Sequence, residues 1–97
     1  DGAAVDAEGC YWICGNDAGQ IHRFSPEGTL LQSVAVPVSK PAMCAFGGPE
    51  LRHLFVTSIR PASPAPGFDA TLDGALLVLK PGVQGLPEPL FSRFPVR

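Results

Sequence analysis

The stretch Asp1–Gly15 reads D-G-A-A-V-D-A-E-G-C-Y-W-I-C-G and predicts two short strands joined by a tight acidic turn. Ala3–Val5 is a small, apolar first strand, and Tyr11–Ile13 has the aromatic and β-branched composition that is typical of a second. Asp6–Gly9 turns the chain and ends on a glycine, the residue that supplies a positive φ at no steric cost. The hairpin therefore presents Asp1 at one end of a sheet.

The composition favours an all-β fold. The 97 residues include eleven glycines and eleven prolines. The longest interval free of both, around Leu51–Arg60, is shorter than the helices that are stable on their own. A single small domain of many short strands joined by turns is the expected result.

The strand pattern repeats once along the chain. The first unit continues with predicted strands at Gln20–Phe24 and Thr29–Val38, the second of which carries Pro37 near its end. The second unit has four predicted strands: Pro41–Phe46, His53–Ser58, Ala75–Leu79 and Pro89–Phe94. Ala3 and Met43 lie 40 residues apart, close to the period of about 40–45 residues that is typical of a propeller blade.

Successive strands of a meander run in opposite directions, so their connections alternate between two rims of the sheet. The rim that holds Asp1 is predicted to receive Asn16–Gly19, Pro37–Pro41 and the long loop Ile59–Asp73. That loop contains three prolines and no strand pattern, and such loops are either functional or disordered. The opposite rim receives three turns, whose acidic residues are expected to be solvated: Asp6, Glu8 and Glu27.

Charge and cysteine content exclude several classes of protein. A net charge of −2 with seven scattered lysines and arginines argues against nucleic acid or an anionic membrane as a partner, and no apolar run is long enough for a membrane span. Three cysteines do not make a disulfide framework. Cys10 and Cys14 would lie about 13 Å apart on one strand, too far for a bridge. Free buried thiols favour a reducing compartment, so a cytoplasmic location is expected.

Several segments resemble the regucalcin (senescence marker protein) and gluconolactonase family. They are D-G-A-A-V-D-A-E-G-C-Y-W, G-Q-I-H-R-F-S-P-E-G, P-A-M-C-A-F-G-G-P-E-L-R-H-L-F-V-T-S-I-R and G-A-L-L-V-L-K-P-G-V-Q-G. The resemblance implies a six-bladed β-propeller, of which this chain is the C-terminal part. Residues 1–38 and residues 41–97 would then be its last two four-stranded blades.

The same resemblance implies a metal-dependent hydrolase of sugar-acid lactones. Members of the family hold calcium or zinc at one mouth of the channel with a Glu, an Asn and the Asp of a P-D-G motif, and Asp1-Gly2 matches the last two letters of that motif. Asp1 is thereby implied as a metal ligand and as the general base. The other two ligands would come from the remaining blades or from another chain.

Two further residues on the Asp1 rim are candidates for contact with the lactone. Asn16 has either a turn role or a substrate contact, and Arg60 either binds a sugar hydroxyl or carboxylate or is a surface cation. No G-x-S-x-G motif supports a serine hydrolase, and His22 and His53 are predicted to lie away from the site. Two alternatives stay open: a non-catalytic propeller that binds calcium or another protein, and hydrolysis of another ester, such as a phosphotriester or a luciferin-related compound.

Overall fold

Two antiparallel sheets contain all the strands of the computed structural model, which describes residues 1–91. The first sheet has the order β1 (Ala3–Val5), β2 (Tyr11–Gly15), β3 (Gln20–Phe24) and β4 (Leu30–Ala35), and the second has the order β5 (Pro41–Gly47), β6 (His53–Ser58) and β7 (Leu77–Leu79). The predicted all-β class is confirmed. In this part of the chain no helix has the length and apolar character to cross a membrane.

The core lies between the two sheets because each strand alternates an inward and an outward side chain. The first sheet contributes Trp12 and Ile21, and the second contributes Leu54 and Val56; all four are buried. Trp12 also meets Phe46 of the second sheet edge to face, with ring centroids 6.3 Å apart and an interplanar angle of 84°. This aromatic contact ties β2 to β5.

The starts of β1 and β5 lie side by side. The main-chain N–H of Gly2 donates to the carbonyl oxygen of Ala42 at 2.6 Å. A Cβ at Gly2 would lie 2.7 Å from the Cα of Met43 and 2.2 Å from its sulfur, so only glycine permits this approach. Asp1 consequently lies at the same rim as Pro41, as the alternation of the meander predicts.

The ends of two strands differ from the predictions. β4 ends at Ala35, although Val36 still donates its N–H to the carbonyl oxygen of Gly19 at 2.9 Å, and Val38 beyond it is fully buried. β7 starts at Leu77 rather than Ala75. The carbonyl oxygen of Ala75 is used instead by the hydroxyl of Ser58, which donates to it at 2.7 Å.

Residues 89–91, the described part of the predicted strand Pro89–Phe94, do not form a strand. The remainder of that prediction lies outside the described residues. The segment before it crosses to the rim opposite Asp1 and pairs with the first sheet, where Leu86 donates to Val5 at 3.0 Å and Gln84 accepts from Ala7 at 2.8 Å. Within residues 1–91 the second sheet therefore has three strands, not four.

The outward faces of both sheets expose large apolar side chains. Val5 and Tyr11 are opposite each other on the first sheet, and Met43 and Val78 lie on the outward face of the second. Tyr11, Met43 and Val78 each keep about half of their surface accessible (46%, 49% and 53%). Apolar surface of this extent on both sides is typical of a face that packs against another sheet or chain.

Asp6 corrects the prediction that the acidic turn residues are solvated. Its side chain is 0% exposed. Oδ1 accepts from the main-chain N–H groups of Glu8 at 2.9 Å and Cys10 at 3.0 Å, and Oδ2 accepts from Trp12 Nε1 at 2.9 Å and Arg23 Nε at 3.0 Å. Asp6 therefore holds the first turn, the tryptophan and β3 together.

The three cysteines are free and buried, as predicted. Burial, together with the nearby Asp6 carboxylate, raises the pKa of Cys10. The hydrogen bond with Cys14 and burial raise the pKa of Cys44, whose thiol also donates to the carbonyl oxygen of Trp12 at 3.6 Å. Cys10 and Cys44 are therefore neutral packing groups at physiological pH.

Candidate active site at the Asp1 rim

Four segments meet at one rim of the two sheets, which we call the Asp1 rim. Hydrogen bonds between their main chains connect them: Gly19 donates to Ser39 at 3.2 Å, and Ile59 donates to Lys40 at 2.9 Å. The segments are Asp1-Gly2, residues 16–19, residues 36–40 and residues 59–76. The predicted grouping of these connections on one rim agrees with the observed strand pairing.

Asp1 and Asn16 form a direct contact at the rim. Asn16 Nδ2 donates to Asp1 Oδ2 at 3.0 Å, and the main-chain nitrogen of Asp1 donates to Cys14 O at 2.8 Å. The end of β2 thereby holds the aspartate at its main chain and at its side chain. The Asp1 carboxylate stays exposed to solvent, so it is accessible to a ligand or a water molecule.

Asp17 has a structural contact. Its φ of 70° is left-handed, a conformation that aspartate tolerates better than most residues. Its carboxylate pairs with the ammonium group of Lys40, which precedes β5. This ion pair links the turn after β2 to the segment that leads into the second sheet.

Arg60 lies on the Asp1 rim but in a cleft of its own. It follows the end of β6 and, with Asp73, provides the charged side chains of a cleft of about 250 Å³. Pro41, at the start of β5, pairs with Ser58 at the end of β6. Since Gly2 bonds to Ala42, Asp1 lies about two strand spacings, roughly 10 Å, from the start of the long loop.

The long loop is an ordered structure. Asp69 caps a short 3₁₀ turn, Ala70–Leu72, by accepting from the N–H of Thr71 at 3.0 Å and from its hydroxyl at 2.6 Å. Leu72 packs against the core. Phe68 lies so close to Gly19 that a Cβ there would be 2.4 Å from Phe68 Cε1. The loop is thus fastened to the turn that carries Asn16.

We expect Gly19→Ala to detach the long loop from that turn. The new Cβ would overlap Phe68 and would also take a φ of +64°, whereas Gly28→Ala, at φ +90° with nothing within 4 Å of the Cβ, has the backbone strain alone. That strain costs about 1–2 kcal/mol. Limited proteolysis should cleave Gly19→Ala, but not Gly28→Ala, faster within residues 61–72. Equal cleavage rates would show that Phe68 does not anchor the loop.

The oxygen atoms at Asp1 suit part of a site for a hard divalent cation. Carboxylate and amide oxygens are the ligands that such cations prefer, and the hydrogen bond from Asn16 Nδ2 to Asp1 brings one side chain of each kind to the same place on the rim. Residues 1–91 contain no group of three or more His, Cys, Asp or Glu side chains that could hold a metal ion by themselves. The residues present fit the cation as contributing ligands, and further ligands would have to come from outside this segment.

The histidines lie away from Asp1. His22 Nδ1, on β3, shares a hydrogen bond of 2.8 Å with Ser33 on β4. His53 lines a cleft of about 270 Å³ at the opposite rim, together with Arg52 and Lys80. Asp73 is the residue on the Asp1 rim that the sequence did not single out. Its one visible signal is an Asp-Gly pair at the end of a proline-rich loop.

Comparison with known proteins identifies the family. The profile of the SMP-30/Gluconolactonase/LRE-like region matches residues 1–60. The 6-deoxy-6-sulfogluconolactonase of Pseudomonas putida is 42% identical over 93 residues, which are 95% of this chain and 32% of that protein. Human regucalcin is 33% identical over 89 residues, which are 89% of this chain and 30% of that protein.

Solved structures agree with the sequence matches. The calcium-binding protein regucalcin from Agrobacterium tumefaciens superposes with a TM-score of 0.80 at 30% identity, over 95% of this chain and 32% of that chain. A luciferin-regenerating enzyme superposes with a TM-score of 0.74 at 32% identity, over 89% of this chain and 29% of that chain. The chain thus spans about a third of the length of these relatives. It belongs to the SMP-30/gluconolactonase/LRE-like family, as its resemblance to regucalcin and gluconolactonase predicts.

Proposed function

We propose that this chain is part of a lactonase that hydrolyses a sugar-acid lactone at the Asp1 rim. The observation that carries the proposal is the exposed Asp1 carboxylate, held by the Asn16 amide at 3.0 Å on the rim where the long loop also lies. The 42% identity to a 6-deoxy-6-sulfogluconolactonase supports this reaction class.

The proposed architecture is that of the last two blades of a six-bladed propeller, with residues 1–38 in one blade and residues 41–97 in the next. The exposed apolar faces that carry Tyr11 and Val78 support neighbouring blades, or another chain, on both sides. We use "complete protein" for this chain together with those blades or that partner. Its free buried thiols support a cytoplasmic location.

Asp1 has the proposed role of general base. Its free carboxylate oxygen takes a proton from water while the water oxygen attacks the lactone carbonyl carbon. The carbon–oxygen bond of the ring then breaks, the ring oxygen takes the proton from Asp1, and a hydroxy acid is released with Asp1 again ionised. Asn16 keeps the carboxylate in one orientation by donating to its other oxygen. Asn16 has the further proposed role of contacting the substrate.

A divalent cation, calcium or zinc, would polarise the lactone carbonyl when bound. From this chain, Asp1 would hold it, and the oxygen atom of the Asn16 amide would be a further ligand. The remaining ligands would come from the rest of the complete protein.

Proton release from D-glucono-δ-lactone tests the reaction and its dependence on metal. We expect the complete protein to hydrolyse the lactone above the spontaneous rate, to lose this activity in EDTA, and to regain it when calcium or zinc is added in excess. Heat-treated protein measures the spontaneous rate. Activity that is unchanged in EDTA would contradict the metal dependence, and no activity with either metal would contradict the lactonase proposal.

A non-catalytic calcium-binding or protein-interaction role is the second candidate. It is favoured by the superposition on a regucalcin described as a calcium-binding protein. Calcium binding by the complete protein without hydrolysis of any lactone would support this role. The superposition on a luciferin-regenerating enzyme keeps other esters among the substrates to be assayed.

A further inference from the structure

Asp73 is a buried carboxylate with an unused oxygen. The residue is 8% exposed, and its Oδ1 has no hydrogen-bond partner among residues 1–91. A buried polar group without a partner is costly, and proteins rarely keep one that has no function. The position therefore calls for a donor that the described residues do not provide.

The cleft beside Asp73 contains one other charged side chain, that of Arg60. The remaining residues that line it are prolines and alanines: Pro61, Ala62, Pro64 and Ala70. No ion pair within 4.0 Å joins Arg60 to Asp73 in the described structure. The cleft thus offers one hydrogen-bond acceptor and one donor, separated by a space of about 250 Å³ and set in an apolar wall.

The cleft lies on the Asp1 rim. Arg60 follows Ile59, whose N–H donates to Lys40, and the far end of the loop returns to β6 through the hydrogen bond from Ser58 to Ala75. Phe68 fastens the middle of the loop to Gly19, next to the turn that holds Asn16. The same loop therefore lies on the Asp1 rim and builds the cleft.

We infer that the Arg60–Asp73 cleft is a subsite for the hydroxyl groups of the lactone; this inference rests on the proposed lactonase function. One hydroxyl donates to the Asp73 carboxylate, and a neighbouring hydroxyl accepts from the Arg60 guanidinium. A hydroxyl group is both donor and acceptor, so a pair of adjacent hydroxyls matches both sides of the cleft. The Asp73 carboxylate disfavours an anionic substituent in the same place.

Two lactones that differ in their hydroxyl groups test the subsite. D-glucono-δ-lactone carries them, and δ-valerolactone has the same six-membered ring without them. In the complete protein, Asp73→Ala should raise KM for D-glucono-δ-lactone roughly 10- to 100-fold, as expected when a hydrogen bond to a charged group is lost. KM for δ-valerolactone should not change. Asp73→Asn keeps an oxygen acceptor, so its KM for D-glucono-δ-lactone should lie between those of Asp73→Ala and the wild type.

Glu27→Gln is the matched control, because it removes an exposed carboxylate from the opposite rim and should leave both KM values unchanged. Since the unpaired carboxylate is removed, Tm of Asp73→Asn should not fall. If Asp73→Ala changed KM equally for the two lactones, the subsite would be overturned. A fall in Tm without a difference in KM between the two lactones would also overturn it. The subsite would also be overturned if the wild type preferred a sulfonated lactone to D-glucono-δ-lactone and lost this preference when Arg60 was replaced.

If the wild type hydrolyses neither lactone, the lactonase proposal fails, and binding tests the subsite directly. Saturation-transfer NMR with D-glucitol, a neutral polyol, gives that readout. Saturation transfer to D-glucitol that occurs with the wild type and is lost with Asp73→Ala supports the hydroxyl subsite. No signal from the wild type, or equal signal from the variant, overturns it.

Discussion

Asp6→Ala should lower the free energy of unfolding by about 3–5 kcal/mol, the usual result of removing one partner from a buried ion pair. The Arg23 guanidinium, 2.9 Å from Asp6 Oδ2, would lose its buried partner. The indole N–H of Trp12 and the main-chain N–H of Cys10 would lose their acceptor. Urea unfolding of the complete protein, followed by tryptophan fluorescence, measures the difference.

Glu8→Gln is the matched control, because Glu8 is the other carboxylate beside Arg23. It lies 3.5 Å from Arg23 Nη2, and its side chain is 67% exposed. Exposed ion pairs contribute about 0–1 kcal/mol, so this change should have little effect. Similar losses from Asp6→Ala and Glu8→Gln would contradict the structural role of Asp6.

The Asp6 network also predicts how stability depends on pH. Burial opposes ionisation of Asp6, but hydrogen bonds from Trp12, Cys10, Arg23 and Glu8 outweigh it and hold the pKa of the carboxyl below its usual value. A lowered pKa in the folded state adds stability above the unfolded pKa of about 3.9, and this stability is lost as the pH falls through the folded value. Asp6→Ala should therefore show a smaller loss of stability below about pH 4 than the wild type.

Asp1→Asn should lower kcat for D-glucono-δ-lactone by about 10²- to 10⁴-fold, the range expected when a general base is removed. Asparagine has nearly the same shape but cannot take a proton from water. Since Asp1 is exposed, Tm should hardly change. Loss of a cation ligand would also weaken metal binding, so kcat should be measured at saturating metal.

Glu27→Gln, an exposed carboxylate at the opposite rim, again provides the control. Asn16→Ala should reduce kcat less than Asp1→Asn does, because it removes only the hydrogen bond that orients the carboxylate. A kcat for Asp1→Asn within a few fold of the wild type, at saturating metal, would assign the general base to another residue.

Much of the fold was predictable because its signals are local. The glycine that ends the first turn and the alternation of Tyr11–Gly15 fix a hairpin, and the meander then decides which connections share a rim. The limit of three strands in the second sheet within residues 1–91 was not predictable in this way. Tertiary contacts draw Gln84–Leu86 to the first sheet, and no local pattern in that segment records those contacts.

The burial of Asp6 shows the limit of interpreting a turn by its composition. An aspartate beside a glycine usually caps its own turn in solvent, and Asp6 does accept from Glu8 and Cys10. Arg23 and Trp12 close over it from β3 and β2 because their side chains share its face of the sheet. Cross-strand register, which determines this contact, cannot be deduced from the turn alone.

The site was predictable in unequal parts. Asp1 entered through the family resemblance, since a single exposed carboxylate has no signature of its own. The sequence left the role of Asn16 open between a turn residue and a substrate contact. In the structure its side chain donates to Asp1. Asp73 could not be singled out, because its burial depends on how a proline-rich loop packs against Gly19 and the core.

The position of bound product in the complete protein tests the Asp1 rim most directly. We expect a crystal structure grown with calcium and gluconate to show the gluconate carboxylate beside Asp1, an Asp1 oxygen among the ligands of the cation, and hydroxyl groups in the Arg60–Asp73 cleft. Gluconate bound at the opposite rim, or a cation that Asp1 does not contact, would contradict the proposed site.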